Sequence, residues 1–438
     1  ESEQVARLPR GFEAIGTTAG IKDSGKPDLA VVLVKDGPGA IAATFTTNRL
    51  PAAAVRMNQA HLRATAPEGD GRYGWVEAMM CTSGCANAAT GEAGLADQRT
   101  LAATLATHAR TQPERVVAMS TGLIGTRLPV ERVASALTSI TGSFRSDDNA
   151  FADVADAMRT TDSVAKAASV TIELHSPDGG LVPVTVSGVA KGVGMIHPDM
   201  ATMLSFVLTD ADAQPETLSR MLRPIVARTW NQTSVDGDQS TNDTVLLVAS
   251  GASGAAPVDD DPEALATLEQ AVEAVARSLS RQQAADGEGA ATLITCAVSG
   301  GADDCAARAA ARAVVSSDLL KAAVHGADPN WGRIAMAVGN AVVASASTLE
   351  AAGLTPEAAA ARAGQPVELD PDALQIDIEG TPVFAGVPLV YDEAALSERM
   401  RGGEVTIRDD LGVGSGIGEA FGCDLTQEYV IENSEYST

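Results

Sequence analysis

Aromatic residues supply only 3% of the 438-residue chain, with 3 Trp, 4 Tyr and 7 Phe. Large rings cannot fill most of the interior, so 41 glycines and abundant alanine must let backbones approach closely instead. Cysteine and histidine are scarce at five each, and an odd cysteine count without secretory features argues against a disulfide framework. Cys81 and Cys85 have a spacing that metal sites use, yet His61 and His108 are the only histidines nearby and neither is suitably placed. No metal is expected. Basic residues are also few: 31 Lys and Arg stand against 57 Asp and Glu, a net charge of −26. That balance excludes nucleic acid and anionic membrane surfaces as natural partners. No run of roughly 18 apolar residues occurs, and Glu1–Arg10 lacks the apolar core of a secretory signal. The expectation is a cytoplasmic protein, soluble by its acidic surface.

What is present is ample for folding, since 45% hydrophobic residues can build one large or two to three ordinary domains. Strand and helix signals alternate irregularly, which favours α/β or α+β layering. Val170, Ile172 and Leu174 alternate with polar residues, as do Val182, Val184 and Val186, and both series predict strands. Leu265, Leu268, Val272, Val275 and Leu279 recur at helical steps after the start signal Asp259-Asp-Asp-Pro262. Ile294, Cys296 and Val298 predict a further strand. The small, acidic stretch from Gly251 to Asp261 suits an exposed connection, and Thr355–Pro371 is a second soft region.

The stretch Lys191-Gly-Val-Gly-Met-Ile-His-Pro-Asp-Met-Ala-Thr-Met-Leu-Ser-Phe206 carries the most chemistry. Thr202 stands behind a small residue where a strand should begin. If the Ala201–Thr202 bond is cut, Thr202 gains an α-amino group with a pKa of roughly 7.7–8.0, a base for its own hydroxyl. The plainer alternative is a glycine-rich loop between two core strands. Gly20-Ile-Lys-Asp-Ser-Gly-Lys26 imitates a phosphate loop, but Pro27 stands where Ser or Thr would contact magnesium. Gly412–Gly418 lacks dinucleotide-loop spacing and is expected to be a flexible loop. His325 is expected to be structural.

The Lys191–Phe206 stretch closely resembles the self-cleavage region of ornithine acetyltransferases, the ArgJ family, including paralogues of clavulanic acid gene clusters. The resemblance continues in order through Ala42–Arg49, Met119–Gly125, Thr160–Asp162, Ser240–Thr244, Asp286–Gly289, His325–Arg333 and Glu432–Thr438. His197-Pro198-Asp199 and the Cys81–Asn87 segment depart from the commoner pattern. The resemblance implies an α+β fold: a layered αββα core like that of N-terminal-nucleophile enzymes, approximately residues 1–290, and a smaller C-terminal α/β domain, 291–438, whose tail returns to the site. It also implies self-cleavage into chains 1–201 and 202–438 assembled as α2β2. Thr202 becomes the nucleophile, and Thr121 with Gly122 the oxyanion pair, although Ser-Thr-Gly by itself reads as a turn. Thr160, Lys191, Thr202, Glu288, Asn433 and Thr438 become the substrate contacts. Acetyl would pass from N-acetyl-L-ornithine to L-glutamate without a cofactor; acetyl-CoA is an additional donor for some members of the family, and no motif here decides that point. An amidase or aminopeptidase of the same fold, with water as acceptor, is the alternative.

Overall fold

The computed structural model describes residues 2–197 and 203–435, so Ala201, Thr202 and Thr438 lie outside the described residues. Three sheets organise the described residues, and their side chains explain the layering. One sheet has four strands in the order Phe12–Thr17, Leu29–Val34, Ala78–Cys85, Val116–Leu123. A second has six, in the order Tyr73–Val76, Gly39–Phe45, Thr244–Ala249, Leu204–Thr209, Leu181–Lys191, Lys166–His175. Successive side chains of these strands point to opposite faces, and both faces are apolar. Val245 and Leu247 pack outward against the helices Pro215–Arg228 and Pro262–Ala285, whereas Leu246 and Val248 face the other sheet. In the four-stranded sheet Ala30 and Val32 face inward, while Leu29 and Val31 pack against the helices Gly91–Ala109 and Val130–Ser139. The result is four layers, helix on sheet on sheet on helix, which is the αββα expectation met by the packing itself.

The third sheet runs Thr233–Ser234, Gly416–Cys423, Leu293–Gly301, Glu404–Asp410, Gln375–Ile378, Thr381–Ala385. It has its own core, in which Ile294, Cys296 and Val298 meet Ala307, Ala311 and Val314 of the helix Asp304–Val315. The whole chain is therefore α+β.

The strands foreseen around Val170, Val184 and Cys296 are present, and Asp261 caps the helix Pro262–Ala285 by accepting from the amides of Glu263 and Ala264. The structure refines three of these readings. Gly251–Asp261 is not simply exposed, because Ser253, Ala255 and Val258 are buried. Thr355–Pro371 contains a helix, Pro356–Arg362, capped by the Thr355 hydroxyl. Gly412–Gly418 is not a flexible loop throughout, since Gly416 opens a strand. A Cβ at Gly418 would meet the Arg308 amide nitrogen at 2.3 Å, so glycine there permits close packing of strand on helix. No helix of the described residues is long and apolar enough to cross a membrane.

Candidate active site

The inner faces of the two layered sheets converge at one end. Val117 and Met119 face inward on the Val116–Leu123 strand, and the period of two puts Thr121 on the same face. Val189 does likewise on Leu181–Lys191, which brings Lys191 inward. The two side chains meet across the sheets: Lys191 Nζ donates to Thr121 Oγ1 at 2.8 Å, with each residue only 9% exposed. An ammonium donating to that oxygen leaves the hydroxyl proton of Thr121 directed elsewhere and makes it a stronger donor. Gly122 follows with φ of +125°, and a Cβ there would meet the Gly84 carbonyl carbon at 2.3 Å. Ser-Thr-Gly is thus the irregular end of a strand, where a bulge disturbs pairing with the Ala78–Cys85 strand, rather than a free turn.

Thr121, Gly122, Thr160, Lys191, Glu288 and Asn433 all line one cavity of about 270 Å³, together with Met203 and Leu204, where the described chain resumes. Thr202, Ala201 and Thr438 lie outside the described residues. Glu288 accepts from the Asn433 amide at 3.0 Å and from the Thr161 hydroxyl at 2.8 Å. The helix Gln427–Glu435, which carries Asn433, has no buried residue of its own. Its half-buried Tyr429 forms another part of the wall, and this partial desolvation raises the phenol's pKa, so it is neutral at physiological pH.

Several participants were not foreseen. Asp162 is buried, which alone would raise its pKa, but Lys166, Lys191 and the Gly192 amide overcome this and hold it at about 2. Asp236 accepts from the Ile196 amide at 2.9 Å and the Met195 amide at 2.5 Å, fixing the loop after Lys191 with Met195 at φ +56°. Burial nonetheless raises the pKa of Asp236. Asn242 donates to the carbonyls of Ala86 and Ser120 at 2.7 and 2.8 Å, anchoring the strand beside Thr121. These residues fell within or beside motifs already noted, but only three-dimensional burial distinguishes them from ordinary turn residues.

Outside the cavity, the other motifs have local explanations. Asp28 turns its carboxylate into the would-be phosphate loop and accepts from the amides of Ala19, Ile21 and Lys22 at 2.5, 2.6 and 2.9 Å. That concavity of amides already holds an internal anion. His325 ends the helix Asp318–His325, and its Nδ1 lies 3.1 Å from Asp424, whose other oxygen accepts from the amides of Ala291 and Thr292. Cys81 is fully buried and its thiol is pushed up to about 12 by desolvation. The Cys85 thiol donates to the Thr126 carbonyl at 3.3 Å. His197 is held down at about 3 by burial and by the charges of Arg312 and Lys321, so it is a neutral imidazole at physiological pH. Among the described residues, no cluster of three or more His, Cys, Asp or Glu could hold a metal ion.

The cavity wall carries the Lys191 ammonium and, besides Glu288, the carboxyl groups of Asp236, Asp238 and Asp243, so it offers opposite charges to an α-amino acid. A model of the ArgJ family matches residues 13–438. The arginine biosynthesis bifunctional protein ArgJ of Deinococcus radiodurans is 42% identical over 432 residues, covering 98% of this chain and 98% of that protein. Its namesake in Thermus thermophilus is 41% identical over 435 residues, covering 99% and 100%. Among solved structures, the Bacillus halodurans protein of the same name is 35% identical with a TM-score of 0.47, covering 54% of this chain and 100% of that one. An ornithine acetyltransferase of Mycobacterium tuberculosis, complexed with ornithine, is 34% identical with a TM-score of 0.39, covering 46% and 100%.

Proposed function

The chain belongs to the ArgJ family, and from that membership we propose that it is an autoprocessed acetyltransferase of arginine biosynthesis or a related secondary-metabolite pathway. The Thr202 hydroxyl attacks the Ala201 carbonyl, the peptide nitrogen becomes the free amine of Thr202, and water hydrolyses the resulting ester. The mature Thr202 then takes the acetyl group of N-acetyl-L-ornithine. Its own amine accepts the hydroxyl proton, L-ornithine leaves, and L-glutamate attacks the acyl-threonine in a ping-pong cycle. Thr121 and the Gly122 amide stabilise the oxyanion in each half-reaction. Thr160, Lys191, Glu288, Asn433 and Thr438 hold the amino acid, and no cofactor enters the cycle. Two cleaved pairs assemble as α2β2 in the cytoplasm.

The observation that carries this reading is the meeting of Lys191 with Thr121 at 2.8 Å, in a cavity whose wall includes Met203, the residue after the proposed nucleophile. Intact mass under denaturing conditions tests it. Two chains meeting at Ala201/Thr202, with about 42 Da added to the second after brief exposure to N-acetyl-L-ornithine, are expected. Thr202→Ala should give one uncut, unmodified chain, and normal processing of that variant would remove Thr202 from its role. Acetyl-CoA in place of N-acetyl-L-ornithine asks, by the same mass shift, whether the enzyme has a second donor. Acetate released without glutamate would instead make it a hydrolase.

A further inference from the structure

Beneath the cavity lies a charged triad to which the reaction above gives no role. Lys166 has a side chain with no exposure, and its Nζ sits 2.8 Å from Asp162 Oδ1 and 2.6 Å from Asp286 Oδ2. Replacing buried ion pairs by apolar side chains of similar volume is often neutral or stabilising. Stability alone therefore does not explain why this core holds three charges.

Their other bonds suggest what they do. Asp162 accepts from the Gly192 amide with Oδ1 at 2.9 Å and from the Thr160 amide with Oδ2 at 3.0 Å. Thr160 and Gly192 line the cavity, and Gly192 directly follows Lys191. Asp286 accepts from the Ser163 amide at 3.0 Å and from the Ser163 hydroxyl. It also opens the turn carrying Glu288, whose amide donates to the Val193 carbonyl at 2.9 Å. Segments far apart in sequence, around residues 160, 191 and 288, are thus bound to one ammonium.

We propose that Lys166, Asp162 and Asp286 form a positioning device that fixes Thr160, Lys191 and Glu288 relative to one another, so that the ammonium and carboxylate meet a single amino-acid substrate together. The proposal rests on the reading of the cavity given above. None of the three touches the substrate. They act through the segments they hold, so their loss misplaces two opposite charges at once.

The test is steady-state kinetics of the mature enzyme with N-acetyl-L-ornithine and L-glutamate. Lys166→Met, Asp162→Asn and Asp286→Asn are measured alone and combined with Glu288→Gln. Misplacement should raise KM for both substrates about tenfold or more in Lys166→Met and Asp162→Asn. In the Glu288→Gln background the penalty of Lys166→Met on kcat/KM should shrink, because one of the groups it positions is already lost. Its effect on Tm should be the same in both backgrounds. Additive kcat/KM losses, or an unchanged KM with only a lower Tm, would overturn the proposal. If Lys166→Met does not fold, Asp286→Asn carries the same comparison, since the Asp286 side chain is 10% exposed at the triad's edge. Calorimetric binding of L-ornithine repeats the cycle without turnover. A wild-type enzyme that binds L-ornithine but transfers no acetyl group would sink the acetyltransferase reading alone, and equal Kd values for wild type and Lys166→Met would sink the triad.

Discussion

The contact between Lys191 and Thr121 gives one lysine two duties. It can face a substrate carboxylate, and it already orients the hydroxyl proposed to face the oxyanion. Lys191→Met should therefore lower kcat as well as raise KM, which a loss confined to KM would contradict. Thr121→Val should lower kcat by about 10²–10³ while Thr121→Ser retains most of it; equal turnover in both would remove the hydroxyl from the chemistry. A different residue ties stability to pH. Asp409 is buried, and burial, partly offset by the Cys296 thiol and reinforced by Asp377, pushes its pKa to about 8. A carboxyl raised from its ordinary 3.8 in the folded chain favours folding most below 3.8, and that contribution is lost as pH rises towards about 8. Asp409→Asn should flatten the fall of Tm between pH 4 and about 8, and an identical slope would place the titration elsewhere. At this scale the sequence marked Thr121, Gly122, Thr160, Lys191, Glu288 and Asn433, which line one cavity. It did not distinguish Lys166 or Asp236 from ordinary surface charges, because a charge in a turn or strand looks the same whether solvated or buried.

Elements were legible where separate physical signals agreed. The helix Pro262–Ala285 combines a capping aspartate, a proline in its first turn and a helical stripe ending near Leu279, and all three agree. Leu279 is wholly buried, so Leu279→Ala should cost about 2–5 kcal/mol in denaturant unfolding. A loss near zero would mean the helix is not anchored there. The stretch 412–423 was less legible, because its glycines carry two meanings. Gly412 lies in a turn at φ +70°, while Gly418 permits close packing, and only the helix beside it separates the cases. Alternation was also invisible in strands such as Thr244–Ala249, where both faces are buried and the apolar run is continuous.

Across the whole molecule, the proposed cut at Ala201/Thr202 falls within the connection between two paired strands. Leu204–Thr209 and Thr244–Ala249 lie side by side in the middle of the six-stranded sheet, flanked by Leu181–Lys191 on one side and Gly39–Phe45 on the other. A C-terminal chain beginning at Thr202 would contribute the two central strands, and the N-terminal chain the four around them. By contrast, the helix Gln427–Glu435 lies on the surface with no buried residue. Ending the chain after Thr426 should leave Tm within about 2 °C of the full protein while raising KM about tenfold through loss of Tyr429, Asn433 and the proposed contact Thr438. A collapse of Tm would make that helix a structural element instead. Because the sheet interleaves both products, maturation would change the molecularity of folding. The uncut Thr202→Ala chain should regain its structure at a rate independent of concentration, whereas the mature protein, once fully unfolded, must find its other half by collision, so dilution alone would slow its recovery.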